Sequence, residues 1–187
     1  MEVSTKYFNK PGPGNTAEAV RIALARAKEL EIRYLVVASN SGSTVETCLG
    51  QGLNLVWVTH HVGYTGPGVD EAEQEKRDFL QAHGVKVLTT THLMAGIDRA
   101  LRIKAGGLYP AEIVAHTLRM FGQGVKVCIE CSVMALDAGL IPYGVPVIAL
   151  GGTGRGADSA LVLKPAHSNQ FFDTKISEIC CKPRLDF

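Results

Sequence analysis

The sequence predicts an α/β domain: a three-layer sandwich with a mostly parallel sheet and an antiparallel last strand. Three observations predict it. Short, continuous apolar runs ("YLVVA", "LNLVWVT", "VPVIAL") alternate with stretches of helical period, as strands covered on both faces require. Turns of small residues, "SNSGST" and "GGTGRGADS", follow two of those runs directly. The second turn reaches "ALVLKPA" over so short a connection that this strand returns antiparallel.

Taken in order, "NKPGPGN" is the most linker-like piece and leads into the first helix. Thr16 reads as the N-cap of "AEAVRIALARAKELE", in which Val20, Ala23, Leu24, Ala27 and Leu30 recur at three- and four-residue steps. "YLVVA" is the first buried strand. The serine-rich turn, a helix near Thr44 to Leu49 and the strand "LNLVWVT" complete a strand–helix–strand unit. Beyond the glycine-rich loop "HHVGYTGPG", "VDEAEQEKRDFLQAHG" reads as a solvated helix closed by Gly84, and "VKVLTTT" as the next strand. "AGIDRALRIKAG" and "PAEIVAHTLRMFGQG" are helical patterns, the latter opened by Pro110. "VKVCIECSVMALDAG" alternates like a strand in its first half and suits a helix in its second, which divides it near Cys131. The tail "KISEICCKPR" adds an edge strand after "VPVIAL" and "ALVLKPA".

A chain of 187 residues, 46% hydrophobic, suffices for one well-buried domain spanning 1–187 and is short for two. Nineteen Lys and Arg against eighteen Asp and Glu leave +1, without the basic excess that collects a nucleic-acid backbone. Nucleic acid is therefore not an expected partner. The start has no basic segment followed by an apolar core, and no apolar run approaches the ~20 residues that span a bilayer. The expectation is a cytoplasmic protein without membrane contact. Five cysteines, an odd number with no export signal, argue for reduced thiols.

Parallel sheets bind ligands beyond the carboxyl ends of their strands, where strand order reverses. A small, polar turn there leaves backbone N–H groups open to an anion, which makes Ser39, Asn40, Ser41, Gly42, Ser43 and Thr44 candidate phosphate contacts. The turn lacks the Lys of a P-loop. The second turn offers Gly151, Gly152, Thr153, Gly154, Arg155 and Gly156; an inward Arg155 would clamp a phosphate or carboxylate. "THHVGY" puts Thr59, His60, His61, Gly63 and Tyr64 on the same rim, and adjacent histidines on an extended segment are expected to point opposite ways. Glu130, set among apolar neighbours, marks an unusual environment, whereas Asp137 and Asp158 read as capping or solvated residues. "CIEC" with Cys180 and Cys181 lacks a second C-x-x-C knuckle, so no metal is expected. No G-x-S-x-G occurs, and no catalytic residue is assigned.

At its two small-residue turns the chain resembles the C-terminal domain of pyruvate kinase. The matching pieces are "ASNSGST" after "YLVV" and "LGGTGRGADSALVLKPA" after "VPVIA", with "YFNKPG" and "KPAH" also similar, so the likeness covers nearly the whole chain. It looks like a stand-alone relative of that domain. The resemblance implies a phosphate site at Ser39–Thr44 and ligand contact near Gly152–Gly156, because many pyruvate kinases hold a sugar bisphosphate effector between those loops. Stand-alone relatives are similar to one another in holding flavin mononucleotide (FMN), the cofactor this likeness implies here. These residues hold no counterpart of the catalytic barrel, so pyruvate kinase activity is not expected. The alternatives are a flavin-dependent oxidoreductase or phosphatase-like enzyme in the same pocket, or a regulatory subunit sensing a sugar phosphate. Pyruvate kinase uses this domain for subunit contacts, which makes a homodimer compatible with the likeness.

Overall fold

Strands and helices alternate through the computed structural model, which describes residues 2–185. In chain order they are β1 (Lys6–Phe8), α1 (Thr16–Glu29), β2 (Tyr34–Ala38), α2 (Ser43–Glu46), β3 (Asn54–Val58), α3 (Gln74–Ala82), β4 (Lys86–Leu88), α4 (Ile97–Ala105), α5 (Pro110–Arg119), α6 (Gln123–Asp137), β5 (Val147–Gly151), β6 (Ser159–Lys164) and β7 (Lys175–Pro183). The seven strands form one sheet in the order β1-β7-β6-β5-β2-β3-β4. Only β6 runs against its neighbours, as its short connection from β5 requires. No helix among the described residues is long and apolar enough to cross a membrane.

Burial on both faces explains the continuous apolar strands. Leu35, Val37, Trp57, Ile148 and Leu150 pack with α1, α2 and α3 on one side. Val36, Val56, Val147 and Ala149 meet α6 on the other, with Leu118 of α5 packed alongside. Each of these strand residues is buried, so polar alternation along the strands would leave unpaired polar groups inside the protein.

Several local expectations give way to tertiary context. "VKVCIECSVMALD" does not divide at Cys131 but lies wholly within the single helix α6. Almost the whole of that helix is buried, so the one-sided pattern that betrays a surface helix is absent. Thr16 is the first residue of α1, behind Asn15, and its Oγ1 accepts the Ala157 N–H at 3.0 Å instead of capping its own helix. The helix expected near Thr44–Leu49 is the single turn α2, and α3 begins only at Gln74. The tail strand β7 is not the edge, because β1 pairs parallel to its outer side. With three residues, two of them exposed, β1 carries too little pattern to be read from sequence.

All five cysteines are free and buried. Burial pushes the Cys48 and Cys180 thiols up to about 11 and Cys181 to about 12, and drives Cys128 and Cys131 upward as well. The native protein is accordingly expected to show no fast-reacting thiol toward an aromatic disulfide reagent at pH 8, and five after denaturation. A thiol that reacts at once in the native protein would contradict this packing.

Candidate functional site

The parallel strands β2, β3, β4 and β5 end on one edge, and β2 and β5 are neighbours there. The chain leaves β2 for β3 on one side, while β5 lies on the other side, so the turns after β2 and β5 meet at the reversal of strand order.

Ser39 frames the first turn rather than facing outward. Its N–H donates to the Val58 carbonyl at 3.0 Å, its own carbonyl accepts the Trp57 indole N–H at 2.6 Å, and its Oγ accepts the Gly42 N–H at 3.1 Å. Gly42 has φ of +82°, and a Cβ there would stand 2.8 Å from Leu80 Cδ1, so only glycine fits. The backbone is thereby turned over the Trp57 and Leu80 side chains into α2. Ser41 and Ser43 are exposed, with hydroxyls 3.3 Å apart. Among the described residues, no backbone acceptor takes the N–H of Ser43, Thr44 or Val45. Thr44 itself is buried, which leaves its backbone rather than its side chain to serve the turn.

The rim beyond β3 and β4 is an aromatic cluster. The His60 ring stacks on Tyr64, with centroids 3.8 Å apart, and His92 lies 5.4 Å from His60 and 5.5 Å from His61. His60 and His61 therefore share one cluster instead of pointing opposite ways. Strand β3 ends at Val58, before both histidines, and the chain turns from His61 to Tyr64, so the alternation of a regular strand does not reach them. Thr59 is a buried stitch between strands: its N–H donates to the Leu88 carbonyl at 3.0 Å, and its Oγ1 lies 2.7 Å from Thr89 Oγ1. Gly63 shapes the loop, its N–H donating to the Val69 carbonyl at 2.8 Å. Arg99 of α4 lies over the Tyr64 ring at 5.8 Å.

One side chain joins the turn to the cluster. Glu71 Oε1 accepts from Asn40 Nδ2 at 3.5 Å, and Glu71 Oε2 lies 2.6 Å from His60 Nδ1. Beneath the cluster, Glu130 pairs with Lys126 one turn earlier on α6, both buried. Glu130 Oε1 also accepts the Met94 N–H at 2.8 Å, which ties the segment carrying His92 to α6. Burial holds the His92 imidazole below its ordinary value, with Glu130 opposing and His60 and Lys126 adding to the shift. The unfolded chain therefore takes up this proton more readily than the folded one. The stability contributed by neutral His92 is present above about pH 6.5 and is lost as the pH falls below it. Melting temperature is expected to drop between pH 7.5 and 5.5, and to drop less in His92→Gln; equal drops in the two proteins would contradict the assignment.

The second turn is largely occupied by the protein itself. Asp158, expected to be a capping or solvated residue, is fully buried, and its Oδ2 accepts the N–H groups of Gly12 at 3.0 Å and Thr153 at 3.2 Å. A Cβ on Gly152 would stand 2.2 Å from the Gly156 carbonyl, and one on Gly151 2.7 Å from the Gly124 carbonyl. Gly151 is thereby needed for close packing against α6 and Gly152 for the tight fold of the loop on itself, while a Cβ on Gly156 would stand 2.8 Å from Pro13 Cα in the lead-in to α1. Gly154 and Arg155 face solvent, so Arg155 is not the inward clamp the sequence suggested. Asp137 does cap, holding His167 and the Ser168 N–H beyond β6. An open groove of about 610 Å³ runs along β1 and the Asn9–Asn15 lead-in, lined by no histidine, cysteine or carboxylate. Among the described residues no group of three or more His, Cys, Asp or Glu side chains is arranged for a metal.

The family model described as pyruvate kinase, alpha/beta domain, matches residues 17–163 of the 187. The chain belongs to that family. The pyruvate kinase alpha/beta domain match runs from α1 to the penultimate residue of β6 and takes in both strand-end turns. Four participants at the rim were not among the candidate ligand contacts: Glu71, His92, Arg99 and Lys126. The rule that pointed to the ends of β2, β3 and β5 applies equally to β4, and "TTTHLM" after "VKVL" would have yielded His92. Glu71 and Arg99 arrive from distant segments, and no local pattern marks them.

Proposed function

We propose that this pyruvate kinase alpha/beta domain protein binds a phosphorylated small molecule, FMN, at the carboxyl edge of its sheet. The observation that supports this reading most is the Asn40–Glu71–His60 link, which sets a turn rich in N–H and hydroxyl donors beside a stacked aromatic surface. The turn suits the phosphate: Ser41 and Ser43 offer hydroxyls, and the backbone N–H groups of Ser43 and Thr44 open the turn. A single helical turn contributes little dipole, so these donors carry the recognition. Tyr64, partly exposed and stacked on His60, offers aromatic surface for a planar ring beside the turn. When bound, the flavin would supply hydride or electron transfer, while the chain's own residues bind and orient it.

A second reading, an enzyme working in the same pocket, is favoured by the His60–Glu71 contact. A carboxylate on Nδ1 fixes the imidazole orientation and leaves the other ring nitrogen for acid–base work. Reduction of bound flavin by a nicotinamide donor would favour the oxidoreductase form, and phosphate release from a monoester the phosphatase-like one.

Titration with FMN and with riboflavin, followed by flavin fluorescence, tests the first reading. FMN is expected to bind at least about tenfold more tightly, since riboflavin has the ring without the phosphate. Equal affinities would remove the phosphate from the Ser39–Thr44 turn.

A further inference from the structure

The sheet ends at β1, and among the described residues no other strand borders its outer side. The Phe8 carbonyl accepts the Arg184 N–H at 2.8 Å, so Phe8 bonds inward to β7, and the alternation along a parallel ladder turns the N–H and carbonyl of Tyr7 outward. Alongside runs the open groove of about 610 Å³, one concave surface that takes in Lys6, Tyr7, Asn9, Lys10 and Asn15. Its wall is braced: Asn15 Nδ2 donates to the Lys10 carbonyl at 2.7 Å and to the Gly12 carbonyl at 3.2 Å, and the Gly12 N–H is held by buried Asp158. All of the lining precedes residue 17, where the family match begins.

The charge of this groove is one-sided. Lys6 and Lys10 are exposed, neither is in an ion pair among the described residues, and no carboxylate lines the groove. Glu18, close enough to feel the Lys6 charge, is already gripped by the Arg21 guanidinium at 2.7 and 2.8 Å. Lysines on an edge strand guard it against pairing with a like edge, and a second copy of the chain would set Lys6 and Lys10 against their equivalents. The same charges select an acidic strand. A nucleic-acid backbone shares the negative charge but offers no peptide main chain to match the outward N–H and carbonyl of Tyr7, and the chain as a whole carries only +1. We propose that β1 and its groove dock an extended acidic segment of another protein, which adds a strand beyond β1 by bonding to Tyr7 and turns carboxylates at alternate positions toward Lys6 and Lys10. An edge of three residues makes this a weak, transient contact, and β7, β6 and β5 separate it from β2 and the candidate ligand site.

Fluorescence anisotropy with labelled peptides of about eight residues tests this. One peptide alternates valine with glutamate, a second valine with lysine, and a third is the glutamate peptide with every backbone amide N-methylated. The glutamate peptide is expected to bind with Kd on the order of 100 μM, at least about tenfold more tightly than either of the others. Its affinity should fall about tenfold in Lys6→Glu/Lys10→Glu, whose substituted side chains are exposed, and its binding should slow amide exchange at Tyr7. No binding at ~1 mM peptide overturns the proposal, and so does an affinity unchanged by the charge reversal or by N-methylation. Tighter binding of an oligothymidine, lost in the same double variant, would overturn it by assigning the groove to nucleic acid. Should the double variant not fold, exchange on the native chain decides: protection of the Tyr7 N–H by the glutamate peptide supports the proposal, and none overturns it.

Discussion

Lys126→Ala is expected to cost the folded state about 3–5 kcal/mol, the usual consequence of removing one member of a buried ion pair. Lys126 and Glu130 are adjacent on one face of α6, and their side chains are only 8% and 5% exposed. Without Lys126 the Glu130 carboxylate stays buried with the Met94 N–H as its remaining partner, and the uncompensated charge dominates the loss. Lys126→Met/Glu130→Gln removes both charges at similar volume and is expected to recover most of it, since a paired buried charge contributes little net stability. Urea denaturation checks both. The single variant's midpoint should fall by more than about 1 M, and a shift no larger than that of an ordinary surface substitution would show that the pair is not sealed from water.

Ser41→Asp/Ser43→Asp is expected to weaken FMN binding by about tenfold or more while leaving the fold intact. Both side chains are exposed and neither supports the core, so stability should change by less than about 0.5 kcal/mol. Two carboxylates at the turn would face the dianionic phosphate across a short distance and occupy the open N–H groups themselves. Fluorescence titration of the folded variant supplies the check. Unchanged affinity would place the ligand away from this turn.

How much of this was legible in the sequence follows from what each residue needs from its neighbours. Strands β2, β3 and β5 read correctly because Val36, Trp57 and Ile148 are covered on both faces, and such burial writes itself into the chain as an unbroken apolar run. The same completeness hid α6: with nearly every side buried, its 3.6-residue period disappears, and "VKVCIE" imitates a strand. The clue left there was Lys126 followed four residues later by Glu130, a helical pairing. The Ser39–Thr44 turn was visible because turn chemistry is local, including Gly42 at positive φ. Glu71 was not, since it sits in a stretch that reads as solvated helix and acquires its place only when the β3–α3 loop folds back onto Asn40 and His60. Asp158 resisted for the same reason: its partners Gly12 and Thr153 come together only in the folded chain.

The proposed flavin binding at the carboxyl edge is open to an absorbance spectrum of the freshly purified protein from ~300 to 550 nm, with mass spectrometry of whatever heat releases. Flavin bands and a released species with the mass of FMN are the predicted result. A colourless protein that takes up no added FMN would contradict it.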